Sequence, residues 1–138
     1  MRMDLLKANT QKSHPFHWVV EPLSEEPSYL QRAMFGCLGC YLYGRLVLVL
    51  AARGEAWQGL LIPTERKHHN ALRRDHKSLV IHPILKKWLY LPESSEDFEE
   101  AARALAESIL AKDPRIGVEP NAKPRKGGAR KWKPSTTS

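Results

Sequence analysis

The chain has 138 residues, a length that suits one domain with a single core. It carries 22 Lys and Arg against 15 Asp and Glu, a formal net charge of +7, and 42% of its residues are hydrophobic. This composition excludes a wholly disordered or fibrous chain, and the longest wholly apolar run, residues 46–52, is far below the roughly 20 residues of a membrane span.

The first elements are predicted to be an arm and a short helix. Residues 1–23 are assigned to an N-terminal arm, with the apolar patch 18–20 extended along the body. The folded domain is assigned to residues 24–120 and opens with a helix that Ser24 caps. Four residues at helical spacing form the apolar side of this helix: Tyr29, Leu30, Ala33 and Met34.

Three strands follow in close succession. Residues 37–43, 45–52 and 57–62 are rich in β-branched, leucine and aromatic residues. They are separated only by Gly44 and by a short turn that contains Gly54. Such short separations predict an antiparallel meander.

The second half is predicted to contain two helices around two strands. Thr64 caps a helix that runs to about Asp75, and strands follow at 79–81 and 88–91. The last helix starts with a cap at Ser94 or Ser95 and buries Phe98, Ala102, Leu105 and Ile109. The predicted order α-β-β-β-α-β-β-α is that of an α+β fold, an antiparallel sheet meander with helices packed on one face or end.

The positive charge is concentrated in the last part of the chain. Residues 1–111 hold 14 Lys and Arg against 13 Asp and Glu, whereas residues 112–138 hold 8 against 2. We predict that residues 121–138 form a basic tail that is disordered in isolation, because Trp132 is its only large apolar group. A basic arm of this kind is a candidate for contacts with nucleic acid.

An eleven-residue segment carries a family resemblance. Residues 34–44 resemble the Met-Phe-Gly-x-x-Gly-x-Tyr-x-x-Gly signature of the TfoX/Sxy N-terminal domain family, and the similarity covers about residues 24–111. The later part is also similar to MmcQ/YjbR-type proteins of related fold. The matching positions are expected to be a fold signature of tight turns and close backbone approach: Met34, Phe35, Gly36, Gly39, Tyr41 and Gly44.

The resemblance implies a regulatory role and no enzymatic activity. Members of the family are linked to the regulation of natural competence. We therefore expect a small non-enzymatic regulatory or adaptor domain that acts by protein contact, with no catalytic residues and no cofactor. The protein partner is unknown. The alternatives are a nucleic-acid-associated protein, and a ligand-binding domain or enzyme.

The Cys37-x-x-Cys40 pair is predicted to be structural. At an offset of three on a strand the two side chains point to opposite faces, so they suit neither a disulfide nor one metal. A zinc site completed by His14 and His17 is the alternative. The roles of His68 and His69 stay open. With only two cysteines and no apolar leader in residues 1–7, we expect a cytoplasmic protein.

Two groups of cations are candidates for phosphate contacts. Arg66, Arg73 and Lys77, together with Asn70, fall on one face of the second predicted helix, and the alternative is an ordinary solvent-facing side. In the tail, Trp132 could stack on a base amid cations, the alternative being a solubilising tail. The tail cations are Lys123, Arg125, Lys126, Arg130, Lys131 and Lys133.

Overall fold

The computed structural model describes residues 14–120, and the predicted basic tail lies outside that range. The described chain opens with helix α1, His17–Val20, and a 3₁₀ turn, Leu23–Glu25. The extended conformation predicted for residues 18–20 is therefore wrong. Val20 and Leu23 are fully buried in the main core, and this burial stabilises α1 despite its single turn.

The centre of the fold is a six-stranded, fully antiparallel sheet. The first four strands form a meander, and the spatial order of the strands is β1-β2-β3-β4-β6-β5. The predicted α+β class is confirmed. The strands are β1 Leu30–Met34, β2 Cys37–Leu42, β3 Arg45–Gly54, β4 Trp57–Ile62, β5 Val80–Ile81 and β6 Leu89–Pro92.

The helix predicted from Ser24 onward is wrong, because its second half is β1. The apolar residues there recur at helical spacing, but Leu30–Met34 pairs with Cys37–Leu42 along its whole length. The turn between the two strands explains the outcome. Phe35 and Gly36 have φ values of 55° and 72°, a left-handed pair that turns the chain straight back on itself.

Two further helices follow the predicted positions but not the predicted caps. Helix α2, His69–Asp75, is preceded by a 3₁₀ turn, Arg66–His68. Thr64 does not cap it, since the Thr64 hydroxyl donates to the Arg115 carbonyl at 2.6 Å. Helix α3 is Phe98–Leu110, and neither Ser94 nor Ser95 caps it: Asp97 holds the N-cap position without a side-chain cap bond, and Ser95 Oγ donates to Asp97 Oδ1 at 2.7 Å.

The two faces of the sheet carry separate apolar clusters. On the first face, Phe98, Leu105 and Ile109 of α3 pack with Leu48 and Leu50 of β3, as their spacing predicts. The second face carries a smaller cluster. It consists of Cys37, Leu46, Val49, Ala51, Leu61 and Tyr90, with Met34, Tyr41, Trp57, Leu85, Trp88 and Val118 packed around them.

The cysteines lie on opposite faces of β2, as predicted. Cys37 belongs to the cluster of the second face and Cys40 to that of the first, and both are free thiols. Burial raises the pKa of Cys40 to about 12. Neither a disulfide within the pair nor a shared metal fits this arrangement.

Leu105 tests the packing of α3 on the first face. Leu105 is fully buried, so Leu105→Ala is expected to lower the free energy of unfolding by about 2–5 kcal/mol. The matched control is the exposed Glu107→Ala on the same helix, with an expected change within about 0.5 kcal/mol. Urea denaturation of both variants measures the difference, and a loss below about 1 kcal/mol at Leu105 would contradict the observed packing.

Candidate interaction groove

An open groove of about 450 Å³ lies where the β1–β2 turn meets the loop between β5 and β6. Phe35 comes from the turn, Arg66 from the 3₁₀ turn before α2, and residues 84–88 from the loop. We call this surface the aromatic–basic groove. Its lining residues are distant in the sequence and meet only in the folded chain.

The β1–β2 turn presents Phe35 to solvent. Its side chain is 51% exposed, and its ring centroid lies 6.1 Å from that of Trp57 and 6.3 Å from that of Trp88. Arg53 fixes the turn, since its guanidinium donates to the Phe35 carbonyl and lies 5.4 Å from the Trp57 ring. Left-handed turn positions favour Asn, Asp or Gly, so an exposed Phe here is costly for the fold alone.

His82 holds the loop that forms the other side of the groove. The imidazole is fully buried, and its Nδ1 accepts hydrogen bonds from the backbone N–H groups of Ile84 and Leu85 at 3.1 and 2.9 Å. The proton must therefore lie on Nε2, which donates to the Ala56 carbonyl at 2.8 Å. The backbone N–H of His82 donates to the Trp88 carbonyl at 3.0 Å and closes the loop.

His69 ties the same loop to α2. Its Nε2 lies 2.8 Å from the Lys87 carbonyl oxygen, and since a carbonyl can only accept, the ring is the donor. The His69 side chain is buried. The sequence left its role open, and the structure assigns it to the support of the groove.

The cations of the groove have no internal partner. Arg66, Lys86 and Lys87 are exposed, and none of them forms an ion pair with another residue of 14–120. Among residues 14–120, no acidic side chain lines the groove. Beside these charges Ile84 is 60% exposed, so the surface offers apolar contact and positive charge together.

The predicted phosphate contacts do not share one continuous helical face. Arg66 lies in the 3₁₀ turn and belongs to the groove, whereas Lys77 lies beyond the end of α2. Arg73 Nε donates to the Leu79 carbonyl at 3.1 Å and so supports the chain entering β5. The predicted tail contacts and Trp132 lie outside the described residues.

The positions of the predicted fold signature lie in and beside the first two turns. Gly36 and Gly44 have φ values of 72° and 78°, as tight turns require. At Gly39 an added Cβ would lie 3.2 Å from Met34 Sδ, which is a close approach inside the sheet. Tyr41 lies on the second face beneath the Arg32 guanidinium, whose carbon is 5.8 Å from the ring centroid. Phe35 alone of this set also lines the groove.

The loop that completes the groove is not predicted from the sequence. His82, Ile84, Lys86 and Lys87 lie between two predicted strands, where no periodic pattern marks them. The available signal was composition: a His-Pro step, an isolated Ile-Leu and a Lys-Lys pair in a segment too short for an element of its own.

Comparisons with known proteins add no further assignment. No protein-family model matches the chain, and no curated protein and no solved structure matches it either. Within residues 14–120, no group of three or more His, Cys, Asp or Glu side chains is placed to hold a metal ion. No helix in this part of the chain is long and apolar enough to cross a membrane.

His82 predicts a pH dependence of stability. Burial lowers the pKa of its ring from the ordinary value of 6.5, so the imidazole takes up a second ring proton more readily in the unfolded chain than in the folded one. The contribution of the neutral His82 ring to the free energy of unfolding is complete above pH 6.5. It is lost as the pH falls from there toward the lower pKa of the folded state. We expect His82→Gln to be less stable than wild type at pH 7 and to lose less stability on acidification to about pH 5.

The measurement is urea denaturation at several pH values. His14 and His76, whose pKa values burial also lowers, leave a residual slope in the variant. An identical slope in variant and wild type would contradict the role assigned to His82.

Proposed function

We propose that the protein is a small non-enzymatic regulatory or adaptor domain that contacts another protein through the aromatic–basic groove. The observation that carries the proposal is the exposure of two large apolar side chains in one open groove, 51% at Phe35 and 60% at Ile84. Exposed apolar patches rimmed by polar groups are typical of protein interaction sites.

The groove is built rigidly, which favours binding. Phe35 is fixed by Arg53 and by ring contacts, and the loop carrying Ile84 is fixed by His82 and His69. A surface ordered before association loses little side-chain and loop entropy on binding. Trp and Arg, both present here, are enriched among the residues that dominate binding energy.

The family resemblance supports the same role. The segment that resembles the TfoX/Sxy N-terminal signature is the one that folds into the turn presenting Phe35. Regulation by contact, as in competence control, is the role which that resemblance implies. Because both cysteines are free thiols, we propose a reducing cytoplasm as the setting.

Groove variants test the proposal. Phe35→Asn suits the left-handed turn and removes the ring, and Ile84→Asp replaces the most exposed apolar side chain. The matched control is Val80→Asp, which changes another exposed apolar residue on the edge strand β5. Nuclease-treated cell extract is passed over each immobilised protein, and bound proteins are quantified by mass spectrometry.

We expect a specific protein to bind the wild type and the Val80→Asp variant. The amount of this protein recovered on both groove variants is expected to be at least about tenfold lower. Equal recovery on the groove variants would contradict the groove as the site of contact.

Nucleic-acid association is the second candidate. It is favoured by the three groove cations, which form no ion pair within residues 14–120, and by the six cations of residues 121–138. If it occurs, the tail is expected to supply most of the affinity, with little sequence preference and a steep loss on adding salt. The test compares the full chain with a truncation after Pro120 on generic DNA and RNA at low and physiological salt. Equal binding by both forms would assign the contact to the groove, and no binding at low salt would remove this candidate.

A further inference from the structure

The walls of the aromatic–basic groove suit an inserted side chain better than a stacked base. Trp57 does not line the groove but packs behind Phe35, and its ring already has the Arg53 guanidinium at 5.4 Å and the His82 ring at 4.8 Å. Phe35 meets Trp57 and Trp88 with interplanar angles of 50° and 62°, so the rings interlock instead of forming parallel open platforms. The most exposed apolar residue, Ile84, is aliphatic. Base stacking needs an open aromatic face, whereas an apolar side chain only needs such walls.

The charge of the groove indicates the sign of its occupant. Arg66 and the pair Lys86 and Lys87 come from two separate segments and flank the apolar walls, with no acidic residue in the lining. An occupant with carboxylates next to an apolar group would meet complementary charge on more than one side. Such complementarity steers association and selects against basic partners.

The sequence beyond the described residues carries charge of the same sign as the groove. Val118 pairs with Leu46 and packs on the second face of the sheet, the face that carries the groove. Residues 121–138, with their six cations, begin three positions later. Their charge has the same sign as that of the groove, so residues 121–138 are a poor occupant of the groove. The same charge attracts an acidic occupant.

We infer that the aromatic–basic groove binds an acidic peptide segment, an inference that rests on the proposed function and names its partner class. An apolar side chain of the peptide packs between Phe35, Ile84 and Trp88. Neighbouring carboxylates of the peptide pair with Arg66, Lys86 and Lys87.

The experiment measures binding of labelled peptides to the full chain by fluorescence anisotropy. The probes are a Glu/Leu peptide, a Glu/Ser peptide of equal length, a Lys/Leu peptide and a thymidine oligonucleotide. We expect the Glu/Leu peptide to bind at least about tenfold more tightly than the other three, with an affinity that falls as salt is added.

Two matched pairs of variants separate the contributions. Lys86→Glu is expected to weaken Glu/Leu binding about tenfold or more, whereas Arg74→Glu, an equal change of net charge at an exposed position of α2, changes it little. Ile84→Ser is expected to remove the preference for Glu/Leu over Glu/Ser, and Val80→Ser to preserve it.

Three results would overturn the inference. Tighter binding of the oligonucleotide that is lost in Lys86→Glu would make the groove a nucleic-acid site. Self-association in sedimentation velocity that Ile84→Ser abolishes would make a second copy the occupant. The third result is that the Glu/Leu peptide does not bind. If the Ile84→Asp variant then fails to capture the protein that the wild type captures from the extract, the acidic peptide is rejected and the proposed function stands. If the variant still captures that protein, both are rejected.

Discussion

The surface that distinguishes this protein depends on one buried imidazole. The loop between β5 and β6 forms neither a strand nor a helix, so its backbone N–H groups need another acceptor. His82 supplies it: one ring nitrogen accepts from Ile84 and Leu85, and the other donates to Ala56 in the turn between β3 and β4. The ring is fully buried between Trp57 and Tyr90, where unpaired polar groups would be costly. The geometry of the loop side of the groove thus depends on the neutral form of His82.

The groove is also the place where local preferences and the fold disagree. Phe35 stands in a left-handed turn position that suits Asn, and it leaves half of its surface in water. Ile84 is more exposed still, on a loop held by buried hydrogen bonds. Other residues show one of these features alone, such as Leu30, which is 57% exposed, and Tyr43, whose φ is 55°. Phe35 combines both features in one side chain. Local conflicts that the fold does not need are expected at functional sites.

The sequence predicted those elements whose periodic pattern and tertiary role agree. The strands of the meander and the apolar side of α3 were found for that reason. β1 was mistaken for a helix because Leu30 and Met34 recur at helical spacing, while the decisive interaction, pairing with β2, is set by the turn at Phe35. The local sequence predicts Thr64 as the N-cap of the helix that follows it. Instead its hydroxyl donates a hydrogen bond to the carbonyl of Arg115, 51 positions away, which no local rule anticipates.

The candidate site was predictable only in fragments, for the same reason. The sequence suggests separate roles for Phe35 and Arg66 and none for Ile84 and Lys86, because nothing in it shows that the fold brings these residues together. The fold also separates charge of opposite sign. Residues 1–111 are nearly neutral in total, yet unpaired cations surround the groove on the second face, and Glu96, Glu99 and Glu100 are exposed where α3 begins on the first. A nearly neutral domain with such a distribution orients an approaching charged partner more strongly than its net charge indicates. For the acidic peptide that we propose as the occupant, this distribution favours approach to the groove over approach to the start of α3.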